Sequence, residues 1–597
     1  MRLKRLFLGI LLSAIFVNII ASNYNPEGIS ISLKVPGNKA RRYPLALQKY
    51  QDGVYKCQSS EELPLIITRQ VVNQNGMQRI NVVIKALETV YFNYGEQIET
   101  GYKHSDCQFY MPGFWYRRNL RSPENAPSFK ISDSWLVRED RLSTPLTAVF
   151  CSSKAKSMSV IRLDKFDKEA LTTHKEGEVI VSGETSIGYT GFENVGGMTV
   201  LSYGFPYKEA PRTYIRKLTL APSVEAFQFL CKGDSITLAW ELSEIDVADF
   251  SECVQRTWEY CYDTYRPQSF NASYTADRMK EVLSNFFVDS YVDSTPTHYY
   301  SGVGLKTLTC DKTDVAEVGF LGRTLLNAFN ALEYGSLQNR SELVKDANNI
   351  FETYLSHGFS PAGFFNEVVR FHRDSKESNF SIRRQSEGVY AILSYLDYEK
   401  KHKRKHVEWE KRLKVILDNF LRIQKADGSF PRKFKDDFSI VDSTGGSTPS
   451  VTLPLVMAYK YFNDKRYLES AKRSANYLEN EIISKSDYFS STLDANCEDK
   501  EASLYASTAA YYLALATKGA ERAHYAGLAR KAAYFALSWY YTWDVPFAPG
   551  QMLGDLELKT RGWGNVSVEN NHIDVFIFDF ADVLNWLAKE YNEKRFS

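Results

Sequence analysis

The sequence predicts an α+β multidomain protein: an N-terminal antiparallel β-sandwich of supersandwich-like size, followed by an (α/α)6 toroid. Three observations predict it. The chain has 597 residues, about four times the length of a typical single domain, so at least two domains are expected. The hydrophobic pattern changes near residue 270 from strand-like alternation to helical period. Beyond that point the links between helices alternate between short and long, as stacked helical hairpins require.

The β-region spans 23–248. Ile29, Ile31, Leu33 and Val35 alternate, which predicts one buried face of a strand. Residues 65–72 and 80–86 flank Asn75-Gly76, a strong hairpin signal. Further short strands are expected at 178–182, 217–221 and 235–240. A connecting helix is expected within 249–270, ended by Pro267. Helices follow near 276–292, 313–334, 341–357, 381–399, 406–424, 449–462, 465–483, 498–517, 521–542 and 573–591, and residues 271–597 form the toroid. Inner helices begin after the long links 358–380, 425–448, 484–497 and 543–572. Ala502, Ala506, Ala509 and Ala510 suit a crowded inner layer. Helix N-termini favour anions and long loops make pockets. The active site is therefore expected where the inner-helix N-termini and the long loops meet.

Residues 1–22 read as a signal peptide. Arg2, Lys4 and Arg5 precede an apolar run ending at Ile20, and Ala21-Ser22 offers small residues for cleavage. The run is too short for a confident membrane span. The expected location is periplasmic or secreted, with no stable membrane span after cleavage. Eight scattered cysteines without a CxxC pair argue against a zinc ribbon or thioredoxin site, and free buried thiols are expected. Nine dispersed histidines and no HExxH give no metal site, and no cofactor is called for. Lysine plus arginine is 73 against 72 acids, a formal charge of +1, which leaves no electrostatic case for nucleic acid. Aromatics reach 14%, enough to fill cores and also to line sugar-binding clefts.

Polar clusters on the long loops supply the candidate site. One is Arg383-Arg384-Gln385-Ser386-Glu387-Gly388. Another spans 491–501 and includes Asp494, Asn496, Glu498, Asp499 and Glu501. A third carries Arg561-Gly562-Trp563-Gly564 and Glu569, with His572 and Asp574 beyond; a weaker one is 427–432, ending at Arg432. Glycosidic hydrolysis usually needs two carboxyl groups, one protonated and one ionised, and crowded acids push one pKa up. The candidate catalytic residues are therefore Glu387, Asp494, Glu498, Asp499 and Glu569. Helix capping is the rival reading for Glu498 and Asp499, with Asn496 as the cap. First-turn helix placement is the rival for Glu387, and a satisfied core imidazole for His572. Trp563 between two glycines is expected as a sugar-stacking platform, with plain loop packing as the rival reading. Arg384, Arg432 and Arg561 facing one cleft would suit a carboxylated sugar. Residues 109–145 mix aromatics and arginines. Arg138 in that segment is expected either to complete the pocket or to close an ion pair at an exposed strand end.

The order of signal peptide, β-sandwich, connecting helix and toroid resembles several carbohydrate-active enzyme families, among them glucoamylase-like hydrolases and inverting disaccharide phosphorylases. The runs DANCEDKEAS (494–503) and TRGWGNVSVENNHIDVF (560–576) resemble motifs of exported bacterial glycoside hydrolases, in particular the family 154 β-glucuronidases. The run DGSF (427–430) resembles a turn of α/α toroids generally. The resemblance implies a glycoside hydrolase acting on an oligo- or polysaccharide, with a uronic acid as the released sugar; it assigns no catalytic residue here. The alternatives are a polysaccharide lyase drawing on Tyr505, His572 and Arg561, and a non-catalytic glycan-binding protein.

Overall fold

The computed structural model describes residues 28–597 except 75, 173–175, 266–273, 302–311, 321, 374, 491–495 and 575–577. The proposed signal peptide, Asn75, Pro267, Cys310 and Asp494 lie outside the described residues. The chain is a mixed α/β structure with one large β-region and 12 described helices.

Seventeen strands between Gly28 and Asp246 hydrogen-bond into one continuous network. One antiparallel series runs from Arg41–Gln51 through Gly28–Lys34, Val90–Lys103, Met198–Phe205 and Tyr189–Val195 to Trp135–Arg138. A second leaves the same Arg41–Gln51 strand. It passes through Val54–Gln58, Leu65–Gln74, Met77–Ala86, Ser235–Asp246 and Lys156–Arg162 to Leu146–Cys151 and Cys107–Met111. The two share an apolar core: Ile31, Tyr94, Phe192 and Leu201 from the first pack with Ile80, Val82, Val160 and Trp240 from the second. A buried Arg69–Glu96 ion pair lies in this core, and Tyr94 and Tyr203 donate to its carboxylate at 2.7 and 2.9 Å.

The hairpin at 65–86 has its turn where expected, with Gly76 at φ +79°. The single buried face expected for 29–35 is not found. Ser30 and Ser32 are as buried as Ile29 and Ile31, while Val35 is 59% exposed. Gly28–Lys34 has hydrogen-bonded strands along both edges, and residues 29–32 are buried whichever face they are on, so side-chain polarity does not report burial there.

The helices are α1 (Phe250–Tyr265), α2 (Ala276–Ser290), α3 (Thr324–Gln338), α4 (Ser341–His357), α5 (Ile382–Lys401), α6 (Val407–Ile423), α7 (Pro449–Phe462), α8 (Lys465–Tyr477), α9 (Lys500–Ala516), α10 (Gly519–Leu537), the one-turn α11 (Met552–Asp555) and α12 (Phe578–Tyr591). Helices α3, α5, α7 and α9 pack in series, and each is paired with the helix that follows it. Ala502, Ala506, Ala509 and Ala510 are all buried in α9.

One boundary differs in a way that matters. The helix expected from 313 begins only at Thr324. Residues 316–317 instead pair as a strand with Val368–Arg370, and Phe320 and Arg323 adopt left-handed conformations, φ 59° and 40°. Gly319 and Gly322 interrupt the run. A Cβ on Gly319 would lie 2.5 Å from Glu387 Oε2 and 2.8 Å from Arg384 Cα. The loop therefore lies directly against the first turns of α5, which only glycine permits.

The β-region and the helices join through a further apolar core. Tyr110, Tyr116 and Phe150 pack with Val254 of α1, Tyr488 and Phe535 of α10, and the Tyr116 and Trp539 rings stack 4.4 Å apart. The link from 112 to 145 reaches the segment before α12. Asn565 Nδ2 donates to Gly113 O (3.1 Å), Trp543 Nε1 to Leu142 O (3.0 Å) and Asn571 Nδ2 to Arg141 O (2.8 Å). Among the described residues, no helix is long and apolar enough to cross a membrane. All described cysteines are free.

Candidate functional site

Helix α5 opens with Ile382-Arg383-Arg384-Gln385-Ser386-Glu387. The 3.6-residue period places Arg383 and Glu387 on one face and turns Arg384 aside. Arg383 Nε donates to Glu387 Oε1 at 3.1 Å, and its Nη1 pairs with Glu501 in the first turn of α9. Arg384 faces the neighbouring loops, 3.2 Å from Glu317 and from Glu377. Gln385 ties α5 to the preceding loop by accepting from Phe365 N and donating to Phe365 O and to Glu367.

Glu387 is the centre of this cluster. Its Oε1 also accepts from the Tyr505 hydroxyl at 2.7 Å and from Arg323 Nη2 at 3.3 Å, and its Oε2 accepts from Phe320 N–H. Burial alone would raise its pKa. Arg323 and Arg383, helped by the Phe320 and Tyr505 donors, outweigh burial and hold it down at about 2. The same carboxylate, together with burial, pushes the Tyr505 phenol well up, so the phenol stays protonated.

Glu387, Arg323 and Tyr505 line a cavity of about 150 Å3. Its walls come from α3, α5, α7, α9 and α12, largely from their first three turns, with Tyr390, Tyr511 and Tyr512 as aromatic surface. Asp582 of α12 is the other carboxylate on the described lining. The cavity lies below the roughly 300–1,000 Å3 of sites for drug-sized ligands, and it matches one sugar ring better than a chain of them.

Of the other described candidates, none lines this cavity. Glu498 is 0% exposed at the junction with the β-region. Both its carboxylate oxygens lack a hydrogen bond, and Arg117 Nη2 is 3.5 Å away. Burial pushes its pKa up to about 7, Arg117 opposes this, and Asp487 adds to it. Asp487 is held in turn by Arg117 and by Arg121, whose Nε and Nη2 reach it at 2.9 and 2.6 Å. Asp499 is the N-cap of α9, accepting from Ala502 N at 2.7 Å. The capping reading was thus right in kind, but the cap is Asp499 and not Asn496. Glu569 is buried, and its backbone carbonyl accepts from Tyr214.

The arginines do not face one cleft. Arg432 is buried against Asp442 at 3.1 Å. Arg561 lies 3.5 Å from Asp544 and lines a different cavity with Asp164 and Lys559. Trp563 is half-buried, and its peptide bonds to Thr560 and Tyr541. His572 is exposed, and its carbonyl accepts from Val566 N–H. Arg138 makes a two-pronged pair with Asp140 at 3.0 and 2.7 Å, the ion-pair reading of that segment, beside a pocket of its own.

Three groups were not read as site residues from the sequence: Arg323 and Asp582 on the cavity wall, and Glu367 outside its lining. Arg323 fell within an expected helix; the G-F-L-G run of 319–322 was the available sign that it stands in a loop. Glu367 is buried behind α5, and burial lifts its pKa to about 8 against Arg384, Gln385 and Ser381. No local pattern marks it.

No protein-family model matches the sequence, and no curated protein matches it. Solved structures that match the chain include a D-mannose isomerase, at 12% identity over 55% of this chain and 85% of that one, TM-score 0.40. A polysaccharide lyase matches at 9% identity over 87% of this chain and 76% of that one, TM-score 0.41. The unsaturated glucuronyl hydrolase from Bacillus sp. GL1 matches at 14% over 57% and 85%, TM-score 0.34. At these values the likeness decides no activity.

Proposed function

We propose that this chain is an exported carbohydrate-active enzyme, specifically a glycoside hydrolase that releases one terminal sugar bound in the cavity of a closed α/α toroid (271–597). In this reading, the β-region (23–248) is a sandwich docked through the connecting helix. The observation that carries the proposal is Glu387. It is a carboxylate on a cavity wall, held ionised by two arginines, within a ring of tyrosines.

Hydrolysis needs an ionised carboxylate and a proton donor. Glu387 takes the first role, as base or nucleophile. Asp582, the second lining carboxyl, takes the other. Glu498 has a pKa suited to an acid, but it is fully buried and lines none of the described cavities. Arg323 is placed to meet a sugar carboxylate, which fits a uronic acid as the released unit.

The lyase reading draws on the Tyr505–Glu387 contact, since an elimination can use tyrosine as base. It is the weaker reading because burial, and then the carboxylate beside it, hold Tyr505 protonated. One assay separates the two. The protein is incubated with uronate-containing glycans and simple glycosides, while reducing ends and the ultraviolet absorbance of an unsaturated uronate are followed together. Reducing ends without absorbance, lost in Glu387→Gln, are the expected result. Absorbance rising in step with reducing ends would make the protein a lyase.

A further inference from the structure

A second pocket, of about 320 Å3, lies between the β-region and residues 546–551. Its polar lining includes Arg138, Asp140, Arg141, Glu169 and Glu209, and Phe547 supplies apolar surface. Most of the charges are already used. Arg138 is paired with Asp140, lies 3.7 Å from Glu169 and stacks 3.8 Å over the Tyr207 ring. Arg141 Nη2 donates to Tyr214 O at 2.9 Å.

Two groups are left over. Glu209, on the strand Lys208–Arg216, is 1% exposed, yet neither carboxylate oxygen has a hydrogen bond. Arg141 Nε, 3.6 Å from Glu209 Oε1, has none either. A buried polar group without a partner costs about 1–3 kcal/mol and calls for an explanation. Here an acceptor pair and one donor stand side by side in a pocket. Adjacent hydroxyls match them, one donating to the carboxylate and one accepting from Nε. An anion does not match, because three carboxylates face two guanidiniums. Burial raises the Glu209 pKa against Arg141 and Arg138, which further lowers the need for a cationic ligand.

We infer that this pocket is a second carbohydrate site, distinct from the cavity at Glu387, that takes a non-acidic pyranose through Glu209 and Arg141. The apolar face of the ring would lie against Phe547.

Hydrogen exchange of the full chain, read peptide by peptide, tests this with methyl β-D-glucopyranoside and methyl β-D-glucopyranosiduronate as probes. The neutral glycoside is expected to protect segments 136–141 and 207–214, and the glucuronide is not. Glu209→Gln is expected to weaken that protection at least tenfold. Gln551→Trp, an exposed lining position, narrows the pocket without touching its buried groups and is expected to abolish protection. Protection at these segments persists in Glu387→Gln if the two sites are separate, so failure of the hydrolase reading and failure of this one are distinguishable. Absent protection at saturating glucoside, equal protection by the glucuronide, or protection surviving in both pocket variants would overturn the inference. An ordered water filling the pocket would give the first of these results.

Discussion

Glu387 and Glu498 are the same residue type, near the starts of α5 and α9, two helices separated by α7 in the packed series, and both are buried. Their chemistry is opposite. Glu387 has two arginines, a phenol and a peptide N–H around it, and is ionised with a pKa of about 2. Glu498 has one guanidinium at 3.5 Å, no hydrogen bond and a neighbouring aspartate, and its pKa is about 7. Burial disfavours charge in both places; the donors around each carboxylate decide the outcome. Burial and acidity alone therefore do not identify a catalytic carboxyl. Access is the further requirement, and of these two only Glu387 lines a described cavity.

The sharpest way to break this comparison is Glu387→Gln. General acid–base groups contribute about 10²–10⁴-fold, so turnover is expected to fall about 1,000-fold. Circular dichroism and melting check that the fold survives, since removing one partner of a buried ion pair costs about 3–5 kcal/mol. Turnover within threefold of the parent would remove Glu387 from the mechanism.

Glu498→Gln is the counterpart, read in stability against pH. The folded pKa of about 7 stands above the ordinary 4.5. The folded chain thus holds this proton more tightly than the unfolded one. The resulting stability is complete below about pH 4.5 and is lost as pH rises through 7. The difference corresponds to about 3 kcal/mol. The variant is expected to unfold at higher denaturant than the parent at pH 8 and at similar denaturant at pH 4. Glu387 has the reverse sign: its contribution is present above about 4.5 and lost as pH falls towards 2. Equal stability of parent and Glu498→Gln across this range would show that the carboxyl is not held protonated.

Tyr505→Phe removes one donor from Glu387 and leaves the arginines. A hydrogen bond to a charged group is worth about 1.5–3 kcal/mol, so kcat is expected to drop about 10- to 100-fold, with the acidic limb of the pH–rate profile moved upward. An unchanged limb would separate Tyr505 from the carboxylate's ionisation. The smallest effect is Asp499→Ala, a loss of about 1 kcal/mol as an N-cap, measured by urea denaturation. Activity per folded molecule is expected to be kept, and a catalytic collapse would restore Asp499 to the candidate carboxylates.

Much of the fold was legible in the sequence because its signals are local. Alternation around Asn75-Gly76, the alanines of α9 and the short links between helices each act within one or two turns or strands. The errors came where neighbours override local pattern. The strand Gly28–Lys34 is flanked along both edges by strands that follow it in the chain, and α3 starts late because the Gly319 loop packs on α5. The site was legible only as a list of acids and arginines on the long links and at the helix starts that follow them. Glu387 was on that list, and Arg323 was not. The sequence by itself determined the residue types, the periods and the end of the helices at which polar loops collect. Tertiary structure decided which carboxylate is ionised. Of the groups that set the Glu387 pKa, Arg383 is one helical turn away, but Arg323 and Tyr505 stand 64 and 118 residues away. Electrostatic attraction and hydrogen bonding depend on distance in space, which spacing along the chain does not encode.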